Sequence, residues 1–134
     1  EAESSAKYIL ETSKTFSSKL EYPNNPFGKQ LKTTAQFINS GIESKIYYVS
    51  MPGFDTHAGQ ENKQKRLLKT YADSMEVFIQ DLEKNDTFKD TLVVTFSEFG
   101  RRVKQNAAGG TDHGTANNVF IIGWNLRCSK GSLL

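Results

Sequence analysis

The chain has only two histidines, and each stands beside an aspartate. His57 closes the tripeptide Asp55-Thr56-His57, and His113 directly follows Asp112. Neutral imidazoles and carboxylates together are good ligands for zinc, manganese or iron. Glu98 adds another carboxylate, two residues past an apolar run. Two carboxylates and two imidazoles hold one divalent ion, or half of a two-ion site. Paired ions about 3.5–4 Å apart stabilise both the attacking and the leaving oxygen of a phosphoryl displacement.

Each residue alone has a plainer reading. Asp55 reads as a helix cap next to a surface histidine, and Glu98 as a turn cap. Asp112, close to Gly109-Gly110, reads as a turn residue. Asn106 reads as a turn residue or a ligand-bonding amide. Arg101 and Arg102 suit an anionic substrate, because guanidinium matches phosphate or sulfate oxygens in a fork. They also suit a salt bridge to a carboxylate of the site. Ser97 lacks the flanking glycines of a nucleophile elbow, so no catalytic nucleophile is assigned. No phosphate-binding loop or dinucleotide fingerprint occurs.

The elements around these residues give them a common position. Apolar residues at Ala2, Ala6, Ile9, Phe16 and Leu20 predict an amphipathic helix over residues 2–20. Pro23 and Pro26 break it. Leu31, Ala35 and Ile38 predict a second helix, stopped by Asn39-Ser40-Gly41. Ile46-Tyr47-Tyr48-Val49 reads as a buried strand. A long helix is expected from about Asn62 to Lys84, with its core stripe at Leu67, Leu68, Tyr71, Met75, Phe78, Ile79 and Leu82. Residues 92–96 and 119–122 read as two further buried strands. Strand, helix, strand predicts a right-handed βαβ unit, and continuous apolar strands predict a parallel sheet covered on both faces. Ligands bind beyond the carboxyl ends of such strands. Residues 54–60 and 97–118, which carry every candidate named above, follow two of them. The second segment exceeds the roughly 12–15 residues beyond which an unstructured loop is usually functional or disordered.

Composition narrows the classes. The 134 residues suit a single domain, 1–134, or a piece of one. Hydrophobic residues are 37% and charged residues 24%, with nine Phe and five Tyr for a core. A net charge of +2 gives no electrostatic case for nucleic acid or a membrane surface. No apolar stretch approaches the roughly 20 residues of a membrane span, and no signal peptide is visible. The lone Cys128 excludes an internal disulfide and reads as an inert thiol. The chain opens on Glu1 within a helical pattern, and three strands are few for such a sheet. Both features suggest an incomplete domain lacking N-terminal strands.

The motifs Pro52-Gly53-Phe54-Asp55-Thr56-His57, Val93-Val94-Thr95-Phe96-Ser97-Glu98-Phe99-Gly100-Arg101-Arg102 and Gly110-Thr111-Asp112-His113-Gly114-Thr115 occur in that order, with a long helix between the first two. Together they resemble the domain of unknown function 1501 family, over roughly residues 28–123. That family is grouped with the alkaline phosphatase/sulfatase-like superfamily. The resemblance implies an α/β fold with a mostly parallel sheet flanked by helices. It also implies a metal-dependent hydrolase of phosphate or sulfate esters. Asp55 and His57 resemble the superfamily's first metal pair, with shorter spacing. Ser97-Glu98 stands where relatives commonly have Asp-His, and Ser97 is a poor ligand. His113 resembles the late histidine ligand, and Asp112 a further ligand or an orienting partner. The implied cofactor is a divalent metal: zinc first, with manganese, calcium and magnesium as alternatives. The implied partner is an anionic ester. A homo-oligomer is compatible, and a periplasmic or secreted location is suggested. The superfamily draws its nucleophile and another Asp ligand from an N-terminal part with no counterpart in residues 1–50. The chain is therefore expected to be a C-terminal portion, inactive alone. The alternative is a non-catalytic binding domain with a degenerate metal site.

Overall fold

The computed structural model describes residues 2–126. Cys128 lies outside the described residues. Three helices come in sequence: α1 (Ala2–Ser13), α2 (Pro26–Asn39) and α3 (Gln60–Lys84). A 3₁₀ turn at Phe88–Asp90 follows. Four short strands complete the order: β1 (Leu92–Thr95), β2 (Gly100–Arg101), β3 (His113–Gly114) and β4 (Phe120–Gly123). No helix among the described residues is long and apolar enough to cross a membrane.

Helix α2 starts where its chemistry says it should. The Asn25 side chain accepts a hydrogen bond from Gly28 N at 2.8 Å, and Pro26 occupies the first helical position, where no N–H is needed. Its apolar face meets α3. Phe27, Leu31 and Ala35 of α2 bury against Met75, Phe78 and Leu82 of α3, and Phe88 closes one end. Phe27 and Tyr71 stack with ring centroids 5.9 Å apart. The expected stripe of α3 therefore joins the core through Tyr71, Met75, Phe78, Ile79 and Leu82, while Leu67 stands outside the core cluster and Leu68 is 50% exposed.

The buried Asp81 on α3 ties down the segment before α2. It accepts a hydrogen bond from Tyr22 Oη at 2.8 Å and another from Asn85 Nδ2 at 3.3 Å. Burial, reinforced by this bond, pushes the Tyr22 phenol far above its usual range. Helix α1 ends at Ser13, short of Leu20. Its last turn is held by Ser13 Oγ on Leu10 O, and the Ser13 carbonyl accepts Gln36 Nε2 at 2.7 Å. Tyr8, Ile9 and Leu10 stay exposed, so α1 buries no stripe like that of α3.

The sheet corrects the expected parallel arrangement. β1 and β4 pair antiparallel, from Leu92 opposite Gly123 to Thr95 opposite Phe120. The chain between them contains no helix, and an antiparallel return needs none, whereas a parallel pair requires a crossover. Ile46–Val49 forms no strand and joins no ladder among the described residues. The sheet is also covered on one face only. Val93 and Ile122 pack on the helices, while Leu92, Val94 and Ile121 are exposed. The fold is thus mixed α/β, with three helices and two small antiparallel sheets. The alkaline phosphatase-like sheet is not among its described elements.

Candidate metal centre

The long segment after β1 is folded onto the start of α3. β2 and β3 form a hairpin, with Gly100 opposite Gly114 and Arg101 opposite His113. Single bridges join Ala58 to Gly109 and Arg101 to Ala116. The two loops lie so close that a Cβ on Gly110 would sit 2.1 Å from the His57 carbonyl carbon. Only glycine allows that approach.

Side chains lock the loops. Asn106 Nδ2 donates to His57 O and to Asp112 Oδ1, both at 3.0 Å, while its Oδ1 accepts from Ala108 N and Gly110 N. Arg101 is the second tie. Its Nη1 donates to Thr56 O at 3.2 Å and to Thr111 O; its Nη2 donates to Phe54 O at 2.6 Å and to Asp55 Oδ1 at 3.1 Å. Beneath them, Gln64 bonds Thr56 Oγ1 and Phe54 O, and Thr111 Oγ1 donates to Gln60. The first turns of α3 therefore brace both loops.

These ties bring Asp55, His57 and His113 to one point. The Asp55 Oδ1 atom lies 2.9 Å from His57 Nε2 and 3.0 Å from His113 Nε2. One ligand atom from each of the three residues lies within 4.8 Å of the others. Tetrahedral ligands of zinc, at roughly 2.0–2.1 Å, stand about 3.3 Å apart. The two Asp55–imidazole distances fall near that value. All three side chains are about half exposed, so an ion has direct access.

The surrounding groups orient the three. Asp112 Oδ1 lies 3.5 Å from His57 Nδ1, on the far side of the ring from Asp55. That is the place of a carboxylate holding a ligating imidazole in its tautomer. Phe99 stacks on His113 at 4.3 Å between centroids, and the Arg101 guanidinium lies 5.2 Å from the centre of the Phe99 ring. The His113 hydrogen bond, followed by the charges of His57, His113 and Arg101, holds the Asp55 carboxyl below its usual range. Asn106, then His57, does the same for Asp112 through hydrogen bonds.

Three expected residues stand outside the cluster of Asp55, His57 and His113. Glu98 is exposed and stands outside the three-residue cluster. Arg101 spends its guanidinium on loop carbonyls and Asp55, so it is directed into the site's frame. Arg102 is exposed beside Asp112, to which its charge contributes, and its backbone N donates to Asp112 O. Sequence reasoning missed Phe99, Gln60, Gln64, Thr56 and Thr111. The two glutamines in the first turns of α3 were the available signal, because polar residues at a helix start beside a loop find loop partners.

The model of a family described as Protein of unknown function (DUF1501) matches residues 3–129. The chain belongs to that family. No curated protein and no solved structure matches it.

Proposed function

We propose that this member of the DUF1501 family is built around a divalent metal centre that serves hydrolysis of phosphate or sulfate esters. The observation that carries the reading is the convergence of Asp55, His57 and His113, drawn from two loops far apart in sequence, on one accessible point. Three protein ligands of the N and O type leave a coordination position open, as catalytic zinc sites do and closed structural sites do not. Zinc suits this set best; manganese, calcium and magnesium are the alternatives.

The chain's own residues divide the work. Asp55, His57 and His113 hold the ion, and Asp112 keeps His57 in the tautomer that leaves Nε2 free. Arg101 fixes the loop that presents Asp55, and Phe99 fixes the plane of His113. Arg102, exposed beside the centre, is placed to meet an anionic ester. A bound ion would polarise the ester oxygen or lower the pKa of a bound water. Placement with alkaline phosphatase- and sulfatase-like enzymes, and with it an exported location, rests on the motif resemblance and belongs to the same proposal.

A second reading, a binding domain that keeps a reduced metal set without turnover, draws on Glu98 standing outside the cluster. One experiment separates them. Metal content and phosphate- and sulfate-ester hydrolysis are measured on the longest form of the protein that carries residues 1–134, with each metal. Binding with turnover supports the hydrolase, binding without turnover selects the second reading, and no binding sinks both.

A further inference from the structure

Asn106 is not one of the three candidate ligands, yet its side chain reaches one of them by two routes. Its Nδ2 donates to the His57 backbone carbonyl and to Asp112 Oδ1, both at 3.0 Å. Asp112 Oδ1 in turn faces the His57 ring at Nδ1, 3.5 Å away. The contacts close a ring that runs from the His57 carbonyl through the Asn106 amide and the Asp112 carboxylate to the His57 imidazole. Within it, the contact to His57 Nδ1 is at the long limit of a hydrogen bond, and the contact to Asn106 is of ordinary length. Asn106 therefore sets where the Asp112 carboxylate stands, and the imidazole turns to meet it.

The other half of the amide is committed as well. Its Oδ1 accepts from Ala108 N at 3.0 Å and from Gly110 N at 2.9 Å. Those two donors must face oxygen, and the His57 carbonyl must face nitrogen. Only one orientation of the amide satisfies all four partners. No other side chain of this length offers two donors together with two acceptor lone pairs: aspartate only accepts, and alanine does neither. The turn at 106–110 uses the oxygen half alone. The nitrogen half serves His57, 49 residues away in sequence, and Asp112.

We propose that Asn106 is a positioning residue of the candidate centre, which holds the His57 ring through Asp112 so that Nε2 stays directed at the place beside Asp55 Oδ1, 2.9 Å away. The inference rests on the metal reading given above and adds to it a residue that touches no ion. Its two grips act together: the bond to the His57 carbonyl fixes the backbone from which the ring springs, and Asp112 fixes the ring itself. Outer partners of this kind orient a ligating imidazole and raise its affinity for the ion.

Two measurements on wild type, Asn106→Asp and Asn106→Ala test it: NMR three-bond couplings that report the His57 side-chain rotamer without metal, and calorimetric zinc titration. Asn106→Asp keeps the accepting oxygens, so exchange protection of the Ala108 and Gly110 amides should be unchanged, while the donors to His57 and Asp112 are lost. The wild type should show one His57 rotamer and both variants an averaged one. Zinc affinity should fall by about 10–100-fold in Asn106→Asp, the usual cost of losing an outer partner. The direction is diagnostic, because a new carboxylate near a cation would by charge alone tighten binding. Zinc binding that is unchanged or tighter in Asn106→Asp overturns the proposal. So does a His57 rotamer that stays fixed in Asn106→Asp, even where Asn106→Ala loosens it, since Asn106 would then serve the turn alone. A wild type that binds no zinc removes the metal reading instead, and the rotamer still decides whether Asn106 positions His57.

Discussion

A single atom, Asp55 Oδ1, faces both imidazoles and the Arg101 guanidinium. Its neighbours keep the carboxyl ionised below its ordinary titration near 3.9. The sign follows. With the folded pKa depressed, the favourable contacts are fully present above the ordinary value and fade only as pH falls through the lower, folded one. Amide resonances of Thr56 and Thr111, followed by NMR, should therefore hold steady down to about pH 4, the ordinary carboxylate range. Movement well above that would show that Asp55 does not anchor the loop. Metal release should come at higher pH than this, because imidazoles must be neutral to ligate. Asp112 offers a sharper test. Asp112→Asn should weaken metal affinity by about 10–100-fold without abolishing it, the usual cost of losing an orienting carboxylate. Complete loss in calorimetric titration would make Asp112 a ligand, and no change would remove it from the site.

At the scale of elements, the site depends on two loops pressed together beside the start of α3. Gly110→Ala places a methyl group against the His57 carbonyl, so the loops must part. The variant should keep its helical circular dichroism and lose metal binding. Retained binding would show that the approach is not needed. Helices α2 and α3 were legible in sequence, since steps of three and four residues are a local signal, whereas Pro26, read only as a break, is the first residue of α2 with Asn25 as its cap. The fold of residues 97–118 was not. It is set by Asn106 reaching His57 and by Arg101 reaching Phe54 and Thr56, bonds that span long separations and leave no periodic trace. The strand at 46–49 was misread for a related reason. Its apolar residues promised burial on both faces, but Ile46 and Tyr48 are open, and a ladder depends on partners that the run itself does not specify. Both histidines and Asp55 were legible as candidate ligands from residue type and place, and the structure sets them side by side. Glu98 was not distinguishable from them, because sequence gives proximity to a strand end but not direction.

The described residues have one core, between α2 and α3, with the two loops of the candidate centre attached near the start of α3. Leu82, fully buried in that core, lies toward the other end of the helix. Leu82→Ala should cost about 2–5 kcal/mol in urea unfolding. Metal affinity of the folded fraction should be unchanged, since the loops make their own ties. A fall in both would mean that site and core are coupled more tightly than the contacts indicate. The most direct test of the centre is a calorimetric zinc titration of the wild type, Glu98→Gln and His113→Ala. The account predicts one ion per chain for the wild type and Glu98→Gln, and no comparable binding for His113→Ala. Zinc binding that is absent from the wild type, or unaffected by loss of His113, would contradict it.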